Sequence, residues 1–474
     1  MFSAPESVKL RFVKSWRDRR LLLIAALLHG LVYVLLLPAW MGEDEPWHVE
    51  YAHHISTGHA PWGGVEMHSA ERPEDDDRRL MDLSQLQVRR RMRGLDPAEI
   101  RETQLRTLAS MEEEFFFRRI DFMPWPGGIE NFNQVQDAFT ATHQPPLYHA
   151  LGALLVRASG AETPLEELRT LRWLALACYL AMIAATLALA RHLTEDLRLV
   201  GLAGFICAWL PMHARQAAVA NNDVLANVIG AALLLAAAHQ LSRTTERITT
   251  RAVLALIVMI ALAFLTKTTT LACALLAGLA FLVTLSRGDR KRALSMVCAC
   301  AAVAAAGFAY LRATHSPSLP TSWQDLCERF AEGFNADSVS ELWRTTLGAF
   351  NWYSRDLPSG VSQVAMVLVV ILFLAACTKA FPGTPQRNRA VLILCLCALL
   401  AQCALIGLRG ISVGRYLFPV LPAAATLMAI GAAAIVPERS RGRIISALVI
   451  AFITFDAVFL WRGLLVEQYL VLGS

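Results

Sequence analysis

Asp44 and Glu45 stand side by side in "GEDEPWHVEYAHH" (residues 42–54), directly after the apolar run "LLLIAALLHGLVYVLLLPAW". His48, His53 and His54 follow. A carboxylate at the end of an apolar helix can act as a general base toward a hydroxyl. Histidines with carboxylates can also ligate zinc, but the spacing is wrong for it. A zinc protease helix needs H-E-x-x-H, whereas Val49 follows His48 and Ala52 stands four residues on. The H-x-E signature of a deaminase needs a P-C-x-x-C partner, which the chain lacks. There is no glycine-rich phosphate loop either.

Further along, polar groups interrupt apolar sequence at a few places: His143 and Gln144, Asn221 to Asp223, Lys267 in "FLTKTTT", and Arg409 and Arg415 flanking "GISVG". Each has a plain structural reading. Asp223 can cap its helix, and that role is compatible with a functional one. Arg409 can snorkel to headgroups. His48, one turn after Asp44, can share a face with it. Lys267 fits snorkelling less well, because Thr266, Thr268, Thr269 and Thr270 make a dedicated polar turn around it. A carboxylate pair, a further carboxylate and cations beside apolar walls suit group transfer from a lipid phosphate. That reaction needs a base for the acceptor hydroxyl and cations to stabilise the phosphate leaving group. Spacing alone goes no further than this reaction class.

The elements that position these groups are membrane spans. The chain has 474 residues, 55% hydrophobic, arranged in long runs, which marks a polytopic membrane protein. Runs close to the roughly 17–25 residues a span requires lie at 21–40, 171–190, 198–213, 223–240, 251–266, 268–286, 291–311, 362–379, 389–408, 417–436 and 443–461. The apolar stretch from Pro145 ends at Arg157, short for a span. If it does not cross, nearly every basic short loop falls on one side, as the positive-inside tendency requires. The stretch is therefore expected as an interfacial helix. The expected fold is an all-α integral membrane bundle of about eleven spans, N-terminus cytoplasmic, forming one domain over 1–474. Two extracytoplasmic loops are expected, at 41–170 with interfacial helices and at 312–361. All the polar groups above then lie at the outer interface, where ionisable residues mark a functional cavity. The basic N-terminus reads as leading into an uncleaved first span. The cysteines sit almost all in apolar runs and form no disulfide framework. In the first loop, Pro97 after Asp96 opens an expected amphipathic helix, and the "RRRMR" cluster reads first as a solvated face.

These residues resemble, in order, the GT-C glycosyltransferases, which include protein O-mannosyltransferases and the lipid A aminoarabinose transferase. "DEPWH" after a first span is similar to the Asp-Glu start of their first outer loop, and "HQPPLYHALGALL" to its Pro-Pro-Leu helix. A bacterial family of membrane proteins within that superfamily is the more local resemblance. It is similar at "NND" (221–223), at Thr266-Lys267, at "LGAFNWY" from Leu347 and at "GRYLFPVLP" from Gly414. Each motif is weak alone, whereas the ordered series covers most of the chain.

The resemblance implies an inverting glycosyltransferase of the bacterial inner membrane, with its site on the outer face. The donor would be a polyprenyl-phosphate-linked sugar and the acceptor an extracytoplasmic glycan, lipid-linked glycan or protein. Asp44 matches the catalytic aspartate, the general base, and Glu45 its acidic neighbour. Lys267 and Arg415 would contact the donor phosphate, and Asp223 would shape the sugar or acceptor site. His48, His143, Asn222 and Tyr416 complete the candidate binding set. His48 stands where the better-studied enzymes often have arginine, and the insert from about His68 to Phe122 has no counterpart in them. No cofactor and no nucleic-acid partner is expected; a divalent ion on extra carboxylates such as Glu43 is an alternative the resemblance does not favour. Two other functions stay open: a ligase or polymerase moving a whole lipid-linked glycan, and a non-enzymatic transporter of envelope assembly. Transporters usually place charges near the midplane and show inverted repeats, and neither is visible here.

Overall fold

The computed structural model describes residues 6–59, 106–107, 109–114, 116, 144–243, 248–286, 296, 298–299, 302–303, 306, 323–347, 349–350, 355–356, 359–378, 386–409 and 413–461. The chain enters through α1 (Glu6–Leu36), turns at Leu37–Asp44 and continues as α2 (Glu45–Ser56). Next come α3 (Leu147–Ser159), α4 (Pro164–Arg191), α5 (Leu197–Trp209), α6 (Pro211–Gln216) and α7 (Asp223–Leu241). Then α8 (Thr250–Thr266) and α9 (Leu271–Ser286) are joined by a 3-10 turn at Thr268–Thr270. Two amphipathic helices, α10 (Trp323–Gly333) and α11 (Ala336–Leu347), precede a two-residue antiparallel ladder pairing Ala349 with Asp356 and Phe350 with Arg355. The chain closes with α12 (Ser359–Thr378), α13 (Gln386–Arg409), a 3-10 helix at Gly414–Val420, α14 (Leu421–Ile435) and α15 (Glu438–Phe459).

Among the described residues, six helical segments are long and apolar enough to cross a membrane and four shorter apolar ones accompany them. Nine of the eleven runs read from sequence coincide with described helices. The run at 291–311 lies largely outside the described residues. One run needs correction. The stretch 198–213 is not continuous: α5 stops at Trp209, and α6 starts anew at Pro211. Proline has no N–H to continue the ladder, and it pushes the preceding residue out of the helical region. Leu210 accordingly has ψ 114°.

The segment after Pro145 is a short helix, α3. It buries Tyr148, His149, Gly152, Ala153 and Val156 and leaves Leu151, Leu154 and Leu155 exposed. It ends at Gly160, whose φ of 66° supplies the left-handed cap. Helix α4 begins with a full capping box: Thr163 accepts from the Glu166 amide, and the Glu166 carboxylate accepts from the Thr163 amide.

A large apolar core joins α1, α4, α5, α6 and α14, and a second joins α7, α8, α9, α13 and α14. The last helix, α15, buries few of its residues. It is fastened to α1 by polar bonds instead. Asp456 accepts from the Tyr33 hydroxyl at 2.7 Å and pairs with His29 at 2.7 Å. Helices α12 and α14 approach so closely that a Cβ on Gly431 would lie 1.9 Å from the Leu372 carbonyl oxygen. A Cβ on Gly442 of α15 meets nothing within 4 Å.

Gly431→Ala should therefore push two helices apart and cost about 1–3 kcal/mol, the range for overpacking, whereas Gly442→Ala, with room for its Cβ and better helix propensity, should leave stability unchanged or raise it by up to about 1 kcal/mol. Thermal unfolding of both variants in detergent checks this, and equal melting temperatures would contradict the close approach.

Candidate functional site

The site begins in the turn between α1 and α2. Asp44 has φ 65°, one of two non-glycine residues with positive φ among those described. Aspartate tolerates this left-handed corner better than most residues. Neighbouring residues in a chain do not face each other, and Asp44 and Glu45 take opposite directions.

Glu45 points inward and is fully buried. Arg172 of α4 grips it with two bonds, Nε to Oε1 at 2.8 Å and Nη2 to Oε2 at 2.7 Å. The Gly42 amide donates to Oε2 and the Ala220 amide to Oε1, each at 3.0 Å. Arg172 also donates to the carbonyls of Leu37 and Pro38, at 2.7 and 2.8 Å. A parallel pair lies beside it: Arg215, carried by α6, donates to Glu43 and to the Met41 carbonyl. The break at Pro211 is what places Arg215 there. The sequence reading missed Arg172 and Arg215. Their signal was an arginine inside apolar sequence, where a buried guanidinium requires a carboxylate partner.

Asp44 points the other way and its side chain is 25% exposed. Among the described residues its carboxylate has one bond, from Arg415 Nη2 to Oδ2 at 2.6 Å. Arg415 lies in the Gly414–Val420 turn and also pairs with Asp223, Nε to Oδ2 at 3.2 Å. Lys267 holds the other oxygen of Asp223 at 2.6 Å and donates to Asn222 Oδ1 at 3.0 Å. Asn222 in turn donates to Gln144. Both cations flank the Tyr416 ring, at 5.2 Å for Lys267 and 5.6 Å for Arg415, within cation–π range. Asp44, Arg415, Asp223, Lys267 and Asn222 thus form one ladder of alternating partners.

Local structure explains how each member is presented. Asp223 is the first residue of α7, not its cap: Asn221 accepts from the Asp223 amide at 3.0 Å, leaving the Asp223 carboxylate for the cations. The threonines around Lys267 close the end of α8. Thr270 Oγ1 donates to the carbonyls of Lys267 (2.7 Å) and Ala263 (3.2 Å). Gly414 sits so near α11 that a Cβ would lie 2.2 Å from the Thr346 amide nitrogen, and its own amide donates to Thr345 Oγ1 at 2.7 Å.

His48 turns away from Asp44. Its Nδ1 shares a proton with His149 Nε2 at 2.8 Å, and the two rings stack between α2 and α3. Burial, together with the His48 ring, holds His149 well below the usual histidine range, which keeps it neutral. His53 pairs with Glu167 at 2.8 Å, and Arg106 joins them. His143, residues 68–105 of the insert with the "RRRMR" cluster and Pro97, and most of "LGAFNWY" lie outside the described residues. Among the described residues, no group of three or more His, Cys, Asp or Glu is placed to hold a metal ion.

No protein-family model matches the chain, and no curated protein does. Solved structures match. The apo oligosaccharyltransferase of Archaeoglobus fulgidus superposes with a TM-score of 0.50 at 12% identity, over 95% of this chain and 55% of that one. ArnT from Cupriavidus metallidurans, also in the apo state, gives 0.47 at 15%, over 91% of this chain and 63% of that one. The chain therefore spans about half of the first and under two thirds of the second. At such identities the likeness is one of fold: this is the polytopic GT-C fold.

Two predictions arise from this geometry. Glu45→Gln leaves the Arg172 guanidinium buried without its counter-charge, so it should destabilise the protein by about 3–5 kcal/mol. The double variant Glu45→Met with Arg172→Met should recover part of that loss in thermal unfolding, and a strictly additive loss would dismiss the clamp. Glu50, buried in α2, is raised well above the usual carboxylate range by burial, against a bond from Thr107 that lowers it. The folded protein then keeps a proton that the unfolded chain has released, so stability falls as pH rises from the ordinary carboxylate range toward the raised value. Glu50→Gln should match the wild type at acid pH and exceed it increasingly toward neutral; parallel stability curves would dismiss the buried acid.

Proposed function

We propose that this protein is a membrane glycosyltransferase that moves a sugar from a polyprenyl-phosphate-linked donor to an extracytoplasmic acceptor hydroxyl, with inversion. The supporting observation is the contrast between the two acids. Glu45 has its acceptor positions filled by four bonds from buried donors, whereas Asp44 is partly open and holds one arginine. A base must be reachable by the proton it takes, and Asp44 meets that condition. Glu45 positions it.

In this reading Asp44 removes the proton of the acceptor hydroxyl as that oxygen attacks the anomeric carbon. The bond from that carbon to the phosphate oxygen breaks on the opposite face, and the phosphate leaves with the electron pair. Lys267 and Arg415 meet the charge that develops on it. Asp223 holds both cations in place, and Asn222 and Tyr416 line the same end of the bundle. The site faces outward across a bacterial inner membrane, with the N-terminus inside. The GT-C fold and the apolar helices support a multi-pass membrane transferase. The Archaeoglobus protein of the same fold is by name an oligosaccharyltransferase, which keeps transfer of a whole glycan as the second reading. The donor and acceptor of this chain belong to the proposal.

Asp44→Asn should lower transfer by about a hundredfold or more while membrane insertion and melting temperature stay at wild-type values, since Arg415 keeps Asp223. Purified protein incubated with radiolabelled polyprenyl-phosphate sugars, and separately with a glycan on a lipid diphosphate, checks this. Undiminished transfer by the variant removes Asp44 as base, and turnover of the diphosphate donor alone selects the second reading.

A further inference from the structure

We propose that Gln402 is a positioning residue that sets the separation of the two cations. The inference rests on the donor-phosphate role proposed for Lys267 and Arg415 and deepens it. Gln402 lies in the apolar sequence of α13 and is fully buried. A carboxamide in a span is costly unless its hydrogen bonds are used; here the donor half is used, while Oε1 has no hydrogen-bond partner among the described residues. Its Nε2 donates twice, to the Thr269 carbonyl at 3.0 Å and to the Tyr416 carbonyl at 2.6 Å. Thr269 belongs to the 3-10 turn that follows Lys267, and Tyr416 adjoins Arg415 in the other 3-10 turn.

Sequence explains why the Tyr416 carbonyl needs this donor. In a 3-10 helix a carbonyl accepts from the amide three residues on. Three residues after Tyr416 is Pro419, which has no N–H. Gln402 supplies the missing donor and uses the second hydrogen of the same nitrogen on the Lys267 turn. One neutral amide thereby ties together two backbone turns that are far apart in sequence. Asparagine is one methylene shorter, glutamate would set an oxygen against two carbonyls, and lysine or arginine would bring a third cation to the site.

The test is equilibrium binding of undecaprenyl phosphate to the full chain in detergent, with backbone hydrogen exchange alongside. Gln402→Met, similar in length and without donors, should weaken binding about tenfold, the equivalent of a hydrogen bond or two. In an Arg415→Ala background the same change should cost clearly less, about threefold or under, because only the Lys267 turn is then left for it to displace. Equal loss in both backgrounds would make Gln402 a general stabiliser and overturn the proposal. Exchange should quicken in 267–271 and 413–420 alone; a uniform increase, or none, also overturns it. If Gln402→Met does not fold, Gln402→Asn, which keeps the amide but draws it back, carries the same comparisons. Wild-type protein that ignores undecaprenyl phosphate would sink the proposed donor, while the exchange pattern still decides whether Gln402 ties the two turns.

Discussion

The architecture of the site depends on one buried ion pair, Glu45 with Arg172. It joins four separate pieces of chain: the end of α1 through the Leu37 and Pro38 carbonyls, the start of α2 through Glu45 and Gly42, α4 through Arg172, and the approach to α7 through Ala220. Neither charge has water to fall back on. Desolvating both is repaid only when geometry is good and the remaining lone pairs and donors are also satisfied. Here the carboxylate takes four bonds and the guanidinium gives four of its five N–H groups. With these strands of chain fixed, the Asp44 corner has a defined place and direction.

The end of the bundle that carries Asp44 follows the same rule with a different outcome. Asp44 and Asp223 supply two negative charges, Arg415 and Lys267 two positive ones, alternating along the ladder. A set of like cations held close together without acids would repel strongly at low dielectric. The intervening carboxylates make the cations tolerable and hold their directions. On the proposed reaction, an incoming phosphate meets donors already aimed, with little reorganisation at the moment of transfer. Support for this aim comes from backbone turns, not from long side chains alone. Thr345 holds Gly414, Thr270 holds the Lys267 carbonyl, and Gln402 holds both turns.

Much of this was legible in the sequence. The length of apolar runs gave the spans, since a membrane leaves backbone groups no partner but their own helix. Loop charge made the short helix after Pro145 an expected interfacial one; the structure shows a short helix there with exposed leucines. Polar residues interrupting apolar runs pointed to Lys267, Asp223 and Arg415, and those three do meet. What remained hidden is pairing across the fold. Nothing local in the sequence says that Arg172 meets Glu45, 127 residues away, or that His48 takes His149 in preference to Asp44. Span 198–213 was misread because apolarity outweighed Pro211, although a proline at that depth, followed by an arginine, is the pattern of a broken helix serving a buried site. Gln402 was passed over because a single amide barely disturbs a hydropathy profile.

The two adjacent acids show how local geometry divides labour. Consecutive side chains at a helix start diverge, so a pair of identical charges cannot both face the same partner. In "GEDEPWH" the divergence is sharpened by the positive φ of Asp44 and by Pro46 in the first turn of α2. The longer acid reaches inward to Arg172, while the shorter one stays at the rim beside Arg415. Exchanging the two lengths would leave an aspartate short of the buried guanidinium and put a more flexible glutamate where a fixed direction matters. The order Asp then Glu is thus what this corner requires: an anchored acid whose burial holds the turn, and an accessible acid whose direction the turn supplies.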